Sequence, residues 1–238
     1  MQKHIKKIVL VSFLVIGISV WAGYQFQVRE VFAGASHNTS GWAWSSNVGW
    51  ISFNCTDTGT CGTADYGVHV NPTTGELSGF AWSSNIGWIS FNRANTGTPP
   101  AAPYNGSESF IACFDRSGVT TELCNAANDN KVYGWARALS HGSGWDGWIK
   151  LRDASWTPGV SWNSAGNEFA GFAWGSDVVG WVSFNAKDCD SDGNGLTDTG
   201  ANLNCPVGLS ISNYKVTSSL APQVNQPPVA AISCAPSC

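Results

Sequence analysis

A 14-residue segment rich in glycine and tryptophan occurs four times in this chain. Residues 41–54 read GWAWSSNVGWISFN, and residues 79–92 repeat them with two differences. The third copy, 134–151, is degenerate, and the fourth copy, 171–185, carries one extra turn residue. Because copies of such a unit adopt one local structure and bury their apolar faces against each other, the repeat constrains the fold more than any other feature.

The repeat extends upstream of each glycine–tryptophan segment. Residues 67–82 match residues 159–174 at several positions, which indicates that the second half of the chain duplicates the first. The matched unit contains three predicted strands, at 66–71, 76–82 and 87–92, separated by turn residues such as those at 71–75 and 83–85. We therefore expect two β-units, 36–128 with a long insertion and 129–220.

The alternation of side chains assigns the two faces of these strands. Ile89 and Phe91 point to one face, which we predict to be the core, and Trp88 points to the other. Trp82 and Trp88 are predicted cross-strand neighbours, stabilised by about 0.5–1 kcal/mol, with Gly79 and Gly87 leaving room for the rings. The expected fold is all-β, with duplicated three-stranded antiparallel units forming a β-sandwich or a linear β-stack. A four-bladed propeller is disfavoured because the copies lack a regular fourth strand.

The two termini differ in composition from the repeats. Three lysines precede an uncharged apolar run at 8–23, and residues 33–35 offer a small-x-small cleavage pattern. Residues 1–35 are therefore predicted to be an export signal, cleaved after Ala35, or an uncleaved membrane-anchor helix. Residues 221–238 form a Pro-rich linker, and 227–232 resemble the first strand of a PKD-type domain. The expected location is extracellular or in the cell envelope, with membrane contact only through an uncleaved N-terminal segment.

The even number of cysteines agrees with export to an oxidising compartment. They occur as close neighbours along the chain, and we predict disulfides between them in that order. The predicted pairs are Cys55 with Cys61, Cys113 with Cys124, Cys189 with Cys205, and Cys234 with Cys238.

An acidic loop after the fourth copy is the strongest chemical signal in the sequence. Calcium prefers six to eight oxygen ligands, which alternating acidic side chains and a glycine bend supply. The predicted ligands are Asp190, Asp192, Asn194, the Leu196 carbonyl and Asp198, with Asp188 as a ligand in a second register. The segment resembles thrombospondin type 3 and dockerin-like calcium loops. That resemblance implies a further carboxylate at the position of Ala201, so this site lacks one expected ligand.

Charge and motif content exclude some functions. Only 12% of residues are charged, and removal of residues 1–35 leaves 8 basic and 15 acidic residues, which disfavours a nucleic-acid partner. The sequence has no GxSxG, HExxH or Gly-rich phosphate loop. Glu76 and Glu168 recur with the repeat and are predicted to be solvated strand residues rather than a catalytic pair.

The repeats resemble the Gly/Trp β-repeats of predicted surface proteins of uncultured bacteria, a family that implies no activity. We therefore expect a non-catalytic secreted or cell-surface structural or adhesion protein, stiffened by disulfides and structural calcium. Its expected partners are surface glycans or other cell-surface proteins. A carbohydrate-binding module is the first alternative, and a secreted hydrolase is the second. The candidate sugar-stacking residues are Trp44, Trp50, Trp82, Trp88, Trp174 and Trp181.

Overall fold

The computed structural model describes residues 37–96, 99, 112–115, 130–153, 159–163, 165–190 and 214–220. These residues form fourteen short strands and three single-turn helices, which confirms the predicted all-β class. The predicted export segment 1–35 and linker 221–238 lie outside the described residues. In the described part of the chain, no helix combines the length and apolarity that crossing a membrane requires.

Each copy of the repeat forms an antiparallel hairpin. The four hairpins are β1 (Thr39–Ser45) with β2 (Gly49–Ser52), β4 (Leu77–Ser83) with β5 (Gly87–Ser90), β8 (Trp135–Ala138) with β9 (Trp148–Lys150), and β12 (Phe172–Trp174) with β13 (Trp181–Ser183). Serine closes the first turn, because Ser45 Oγ accepts the N–H of Asn47 at 3.1 Å. The extra residue of the fourth copy is accommodated by a short helix, Ser176–Val179, between its strands.

The four hairpins join edge to edge into a closed antiparallel barrel. β2 pairs with β4, β5 with β8, and β9 with β12, and β13 pairs back with β1. The predicted β-sandwich or linear β-stack is therefore wrong. Each hairpin has two edges of unpaired N–H and C=O groups, and a closed ring satisfies both edges of all four copies. A linear stack would leave its first and last copies with open edges.

Serine hydroxyls also link successive hairpins around the ring. Each donates to a carbonyl in or next to the turn of the adjacent hairpin, so the turns are tied together where strand pairing ends. The three bonds run from Ser45 to Val179, from Ser83 to Val48 and from Ser140 to Ile86.

Six further strands extend the barrel at the end opposite the hairpin turns. They are β3 (Val68–Val70), β6 (Cys113–Asp115), β7 (Lys131–Tyr133), β10 (Ser161–Asn163), β11 (Glu168–Ala170) and β14 (Val216–Ser218). β3 pairs with the first half of β4, β6 with β7, and β10 with β11. The three strands predicted for one unit are thus present as β3, β4 and β5. Because β5 pairs with β8 and β13 with β1, the segments 36–128 and 129–220 contribute to one barrel.

The first hairpin receives its outer strand from the other end of the sequence. β14 pairs with the first half of β1, with Gly41 opposite Val216 and Thr39 opposite Ser218. β3 pairs with β4 in the same register, with Gly79 opposite Val68. β14, the last described strand, therefore takes beside β1 the place that β3 holds beside β4 in the second hairpin.

A glycine with positive φ marks the bend between the two halves of each long strand. At Gly79 the φ angle is +85°, and an added Cβ would overlap the carbonyl oxygen of Gly67. Gly41 has the same relation to Lys215. The expectation that Gly79 leaves room for a tryptophan ring is wrong, since the space admits the backbone of the adjacent strand. At Gly87 the nearest atom to such a Cβ belongs to the Trp82 ring, at 4.0 Å.

Branched and phenyl side chains fill the interior of the barrel. Ile89 and Phe91 are each 2% exposed, which confirms their predicted place in the core. Equivalent residues of the other copies surround a central cavity of about 20 Å³, which has room for about one water molecule. The barrel axis is thus a packed core and not a ligand pocket.

Candidate functional site

Tryptophan pairs lie on the outer face of the barrel, where strand alternation places them opposite the buried core residues. The three pairs are Trp44 with Trp50, Trp82 with Trp88, and Trp174 with Trp181, at ring-centroid distances of 4.7, 4.6 and 5.0 Å. The members of each pair are direct cross-strand partners in the hairpins. This confirms the predicted Trp82–Trp88 neighbourhood. We call these six rings and the aromatic side chains that touch them the aromatic belt.

Further rings pack on the second tryptophan of each pair. Trp42, Phe80 and Phe172 each lie 6.3 Å from that tryptophan in their hairpins. Tyr214 and Tyr66 add contacts to Trp50 at 5.3 Å and to Trp88 at 5.2 Å. Most of these contacts are edge-to-face, a geometry worth about 0.5–1.5 kcal/mol per pair beyond area burial. The belt therefore contributes to the stability of the hairpins that carry it.

The third hairpin replaces one ring of the pair by a cation. Arg137 occupies the position of Trp44, and its guanidinium lies 4.5 Å from the centroid of the Trp148 ring. A cation over an indole face contributes about 0.5–1 kcal/mol at a partly exposed site. The cross-strand contact is thus kept where the sequence of the repeat degenerates.

Exposure within the belt is uneven. Trp50 is 38% exposed, and it is more exposed than any other tryptophan that the structure describes. The five other candidate residues are half-buried. A sugar-stacking platform needs an exposed ring, and Trp50 is the most exposed ring in the described part of the belt.

A buried polar network that the sequence did not reveal lies beneath the bend of the first hairpin. Asp57 belongs to the short helix Cys55–Thr58, where its side chain caps the N–H of Asn54 at 2.9 Å. Its other oxygen accepts the N–H of Gly41 at 2.9 Å. Ser52 Oγ lies 2.7 Å from the Tyr66 hydroxyl and donates to Asn54 O. Burial raises the pKa of Asp57, although the hydrogen bonds oppose that shift. The sequence signal for this network is the motif SFNxxD, which residues 52–57 share with residues 183–188 of the fourth copy.

Asp188 is the counterpart of Asp57 in that copy. It lies in the 3-10 helix Ala186–Cys189, and its Oδ2 accepts the N–H of Gly171 at 2.7 Å. Burial raises the pKa of Asp188 to about 6, against the opposing hydrogen bonds. Of the other predicted calcium ligands, Asp190 directly follows this helix. Asp192, Asn194, Leu196 and Asp198 lie outside the described residues, so the calcium site stays a prediction.

Disulfides fasten the loops that follow the hairpins. Cys55 and Cys61 are bonded to each other, as predicted. They lie within ligand distance of Asp65, but their sulfurs are consumed in the disulfide, so this cluster offers no thiolate to a metal. Cys113 and Cys189 are also disulfide-bonded. Their predicted partners Cys124 and Cys205, and the pair Cys234–Cys238, lie outside the described residues.

Glu168 is buried, and the prediction of a solvated strand residue is wrong for it. Its side chain is 3% exposed and binds Lys187 at 2.6 Å and Lys215 at 2.9 Å. Burial alone would raise its pKa, but the hydrogen bonds and charges of the two lysines hold that pKa below its ordinary value. Since Lys215 directly precedes β14, this carboxylate ties β14 to β11.

No family model, curated protein or solved structure matches this chain.

Proposed function

We propose that this chain is a non-catalytic structural module of the cell surface or the extracellular space. The observation that carries the proposal is how the repeated polar and aromatic side chains are used. Asp57 and Asp188 bind glycine N–H groups, Glu168 binds lysines across strands, and the tryptophans pair across hairpins. Because these side chains already bind other parts of the barrel, they favour a rigid scaffold as the role of this protein.

The carboxylates give little support to the hydrolase alternative. A glycosidase places two carboxyl groups on opposite sides of the bond that it cleaves. Asp57 and Asp188 instead lie each beneath the bend of its own hairpin, with a backbone N–H as partner. The central cavity is apolar and too small for a sugar. Both observations favour a scaffold over an enzyme.

The disulfide-bonded cysteines and the sequence of residues 1–35 support the proposed location. The disulfide Cys55–Cys61 and the bonded state of Cys113 and Cys189 fit an oxidising compartment. The lysines and apolar run of residues 1–35 supply an export signal or anchor. Calcium at 190–198 is proposed to be structural, since that loop follows directly on the 3-10 helix that carries Asp188.

Expression of the full chain in a bacterial host with a secretion pathway tests this proposal. We expect the protein in the cell envelope or medium, without free thiols, and inactive against polysaccharide, peptide and ester substrates. Retention in the cytoplasm with reduced cysteines would contradict the location. Turnover of any substrate that persists through repeated purification would contradict the non-catalytic role.

A carbohydrate-binding role is a second candidate, favoured by the exposure of Trp50. Surface glycans are then the partner, and the open ring stacks on the apolar face of a sugar. A glycan array with Trp50→Ala tests it, with Trp162→Ala, which alters a buried core ring, as the control for loss of folding. Binding by the wild-type protein that Trp50→Ala abolishes, while the variant still shows the near-ultraviolet circular dichroism of a folded barrel, supports this role. Absence of binding to any glycan argues against it.

A further inference from the structure

Residue 38 is attached to β3 by a side chain rather than by a strand ladder. The Asn38 amide donates to Val70 O at 2.7 Å, and its oxygen accepts the N–H of Val70 at 2.8 Å. An amide side chain thereby substitutes for one backbone partner. The seam between the start of β1 and β3 is closed by these two hydrogen bonds.

The two hydrogen bonds between Asn38 and Val70 bring two histidines together on the outer side of that seam. His37 precedes Asn38, and His69 lies between Val68 and Val70, whose side chains are fully buried. The imidazole centroids are 5.5 Å apart, with the ring planes inclined at 58°. Gly67 cradles the first ring, since a Cβ there would come within 2.9 Å of His37 Cβ and Cδ2.

The nitrogens of His37 are buried but unused. Neither Nδ1 nor Nε2 has a hydrogen-bond partner among the described residues, and both are shielded from solvent. An unpaired buried nitrogen is costly, so a protein seldom leaves both nitrogens of one ring without a ligand. Burial lowers the pKa of His37 to about 4, and burial also lowers the pKa of His69. Both rings are therefore neutral at pH 7, the form that coordinates metals.

The negative charge of Asp65 favours a cation at His37. Asp65 itself is exposed, and its Oδ1 lies 3.5 Å from Cys55 Sγ. The two imidazoles are nitrogen donors of the kind that zinc and other divalent transition metals bind, with water completing the coordination.

We propose that His37 and His69 bind one divalent transition-metal ion, with zinc as the expected ion and water completing its coordination. Two imidazoles on one tetrahedral zinc, each at ~2.0–2.1 Å, have ring centroids ~5 Å apart, close to the observed spacing. The ion joins His37, two residues before β1, to β3 and so reinforces the seam that the Asn38 side chain bridges. The site is separate from the acidic loop at 190–198 and does not depend on the proposed function.

Zinc titration of the full chain, purified without a polyhistidine tag and stripped of metal, tests this site. With calcium in excess throughout, isothermal titration is expected to show one zinc per chain and thermal melts a raised midpoint. His37→Gln and His69→Gln should each weaken zinc binding at least ~10-fold. His141→Gln, which alters an exposed histidine of the third hairpin, should leave binding unchanged.

Cobalt(II) provides a readout independent of stability. We expect visible d–d absorption of a low-symmetry nitrogen–oxygen site in the wild-type protein and in His141→Gln, and its loss in His37→Gln and His69→Gln. Near-ultraviolet circular dichroism of the metal-free variants reports whether each is folded. The proposal is overturned if zinc does not bind the folded wild-type chain, or if folded His37→Gln and His69→Gln bind it as tightly as the wild type.

Discussion

Ser40 and Thr217 are separated by 177 positions in the sequence, yet their hydroxyl oxygens lie 3.2 Å apart. This contact lies in the joint where β14 pairs with β1 and supplies the first hairpin with its outer strand. The first hairpin therefore gains its outer strand only when β14, the last described strand, has been made. Pairing between residues so distant along the chain is slow to form. We therefore expect the contact between β1 and β14 to form late in folding.

The bend glycines are expected to tolerate no side chain. Gly79→Ala introduces a Cβ that overlaps the Gly67 carbonyl at a φ angle of +85°, so we expect a loss of at least ~3 kcal/mol or failure to fold. Gly59→Ala is the matched control, because φ is +69° and no atom lies within 4 Å of the added Cβ. Its cost should be about 1 kcal/mol. Urea denaturation measures both, and equal losses would contradict the close approach of the strands.

The Glu168 network should make stability depend on pH. The folded-state pKa of Glu168 lies below its unfolded value, so its contribution is present above the unfolded pKa and is lost as pH falls through the folded pKa. Glu168→Gln is expected to cost about 1–2 kcal/mol at pH 7, since the lysine partners are partly exposed and screened. The difference from the wild type should shrink below about pH 4.

Glu76→Gln is the control for that experiment, because Glu76 holds the same repeat position but meets an exposed Arg93 at 3.7 Å. We expect a change of about 0–1 kcal/mol. Urea denaturation at pH 7, 5 and 3 gives both curves. A Glu168→Gln difference that stays constant over this range would show that the charge of Glu168 is not what stabilises the barrel.

The disulfide Cys55–Cys61 closes a small loop after the first hairpin. Replacing both cysteines by alanine should lower the free energy of unfolding by about 2 kcal/mol, because the unfolded chain regains loop entropy. The fold should persist, since Asp57 still caps the helix and binds Gly41. Chemical denaturation of the double variant measures the loss, and near-ultraviolet circular dichroism checks the aromatic belt. Complete unfolding of the variant would show that the barrel does not hold this loop in place.

Calcium removal should lower the melting temperature. A ligand present at 100 times its dissociation constant adds about 2.7 kcal/mol to the stability of the folded state. We therefore expect a lower midpoint with chelator, and Asp192→Ala should abolish the difference. Asp177→Ala, which alters an exposed aspartate of the fourth hairpin, should retain it. Identical midpoints with and without chelator in the wild type would refute the calcium site.

Local features of the fold were predictable from the sequence because they depend on neighbours along the chain. The cross-strand contact of Trp82 with Trp88 follows from two strands and a short turn, and the burial of Ile89 follows from alternation. The disulfide Cys55–Cys61 follows from proximity in sequence. These interactions form within one hairpin or one loop, where spacing alone fixes which residues meet.

Closure of the barrel was not predictable in the same way. The pairing of β13 with β1 joins the two ends of the repeat array, and no local pattern distinguishes a closed ring from a stack. The burial of Glu168 was missed for the same reason, since its partner Lys215 arrives with the last strand. The resemblance of residues 213–216 to 65–68 was the available signal. It indicates that a strand equivalent to β3 follows the fourth copy.

A designed disulfide tests most directly the long-range pairing of β14 with β1, which brings distant parts of the chain together in this fold. The account predicts that Ser40→Cys with Thr217→Cys forms an intramolecular bond, since the native hydroxyls are 3.2 Å apart. Ser40→Cys with Ser218→Cys is the control and should form far less of it, because alternation turns residue 218 to the opposite, buried face of β14. Peptide mapping by mass spectrometry under non-reducing conditions measures the link. A monomer in which residues 40 and 217 stay unlinked, or links that form only between chains, would contradict the pairing of β14 with β1.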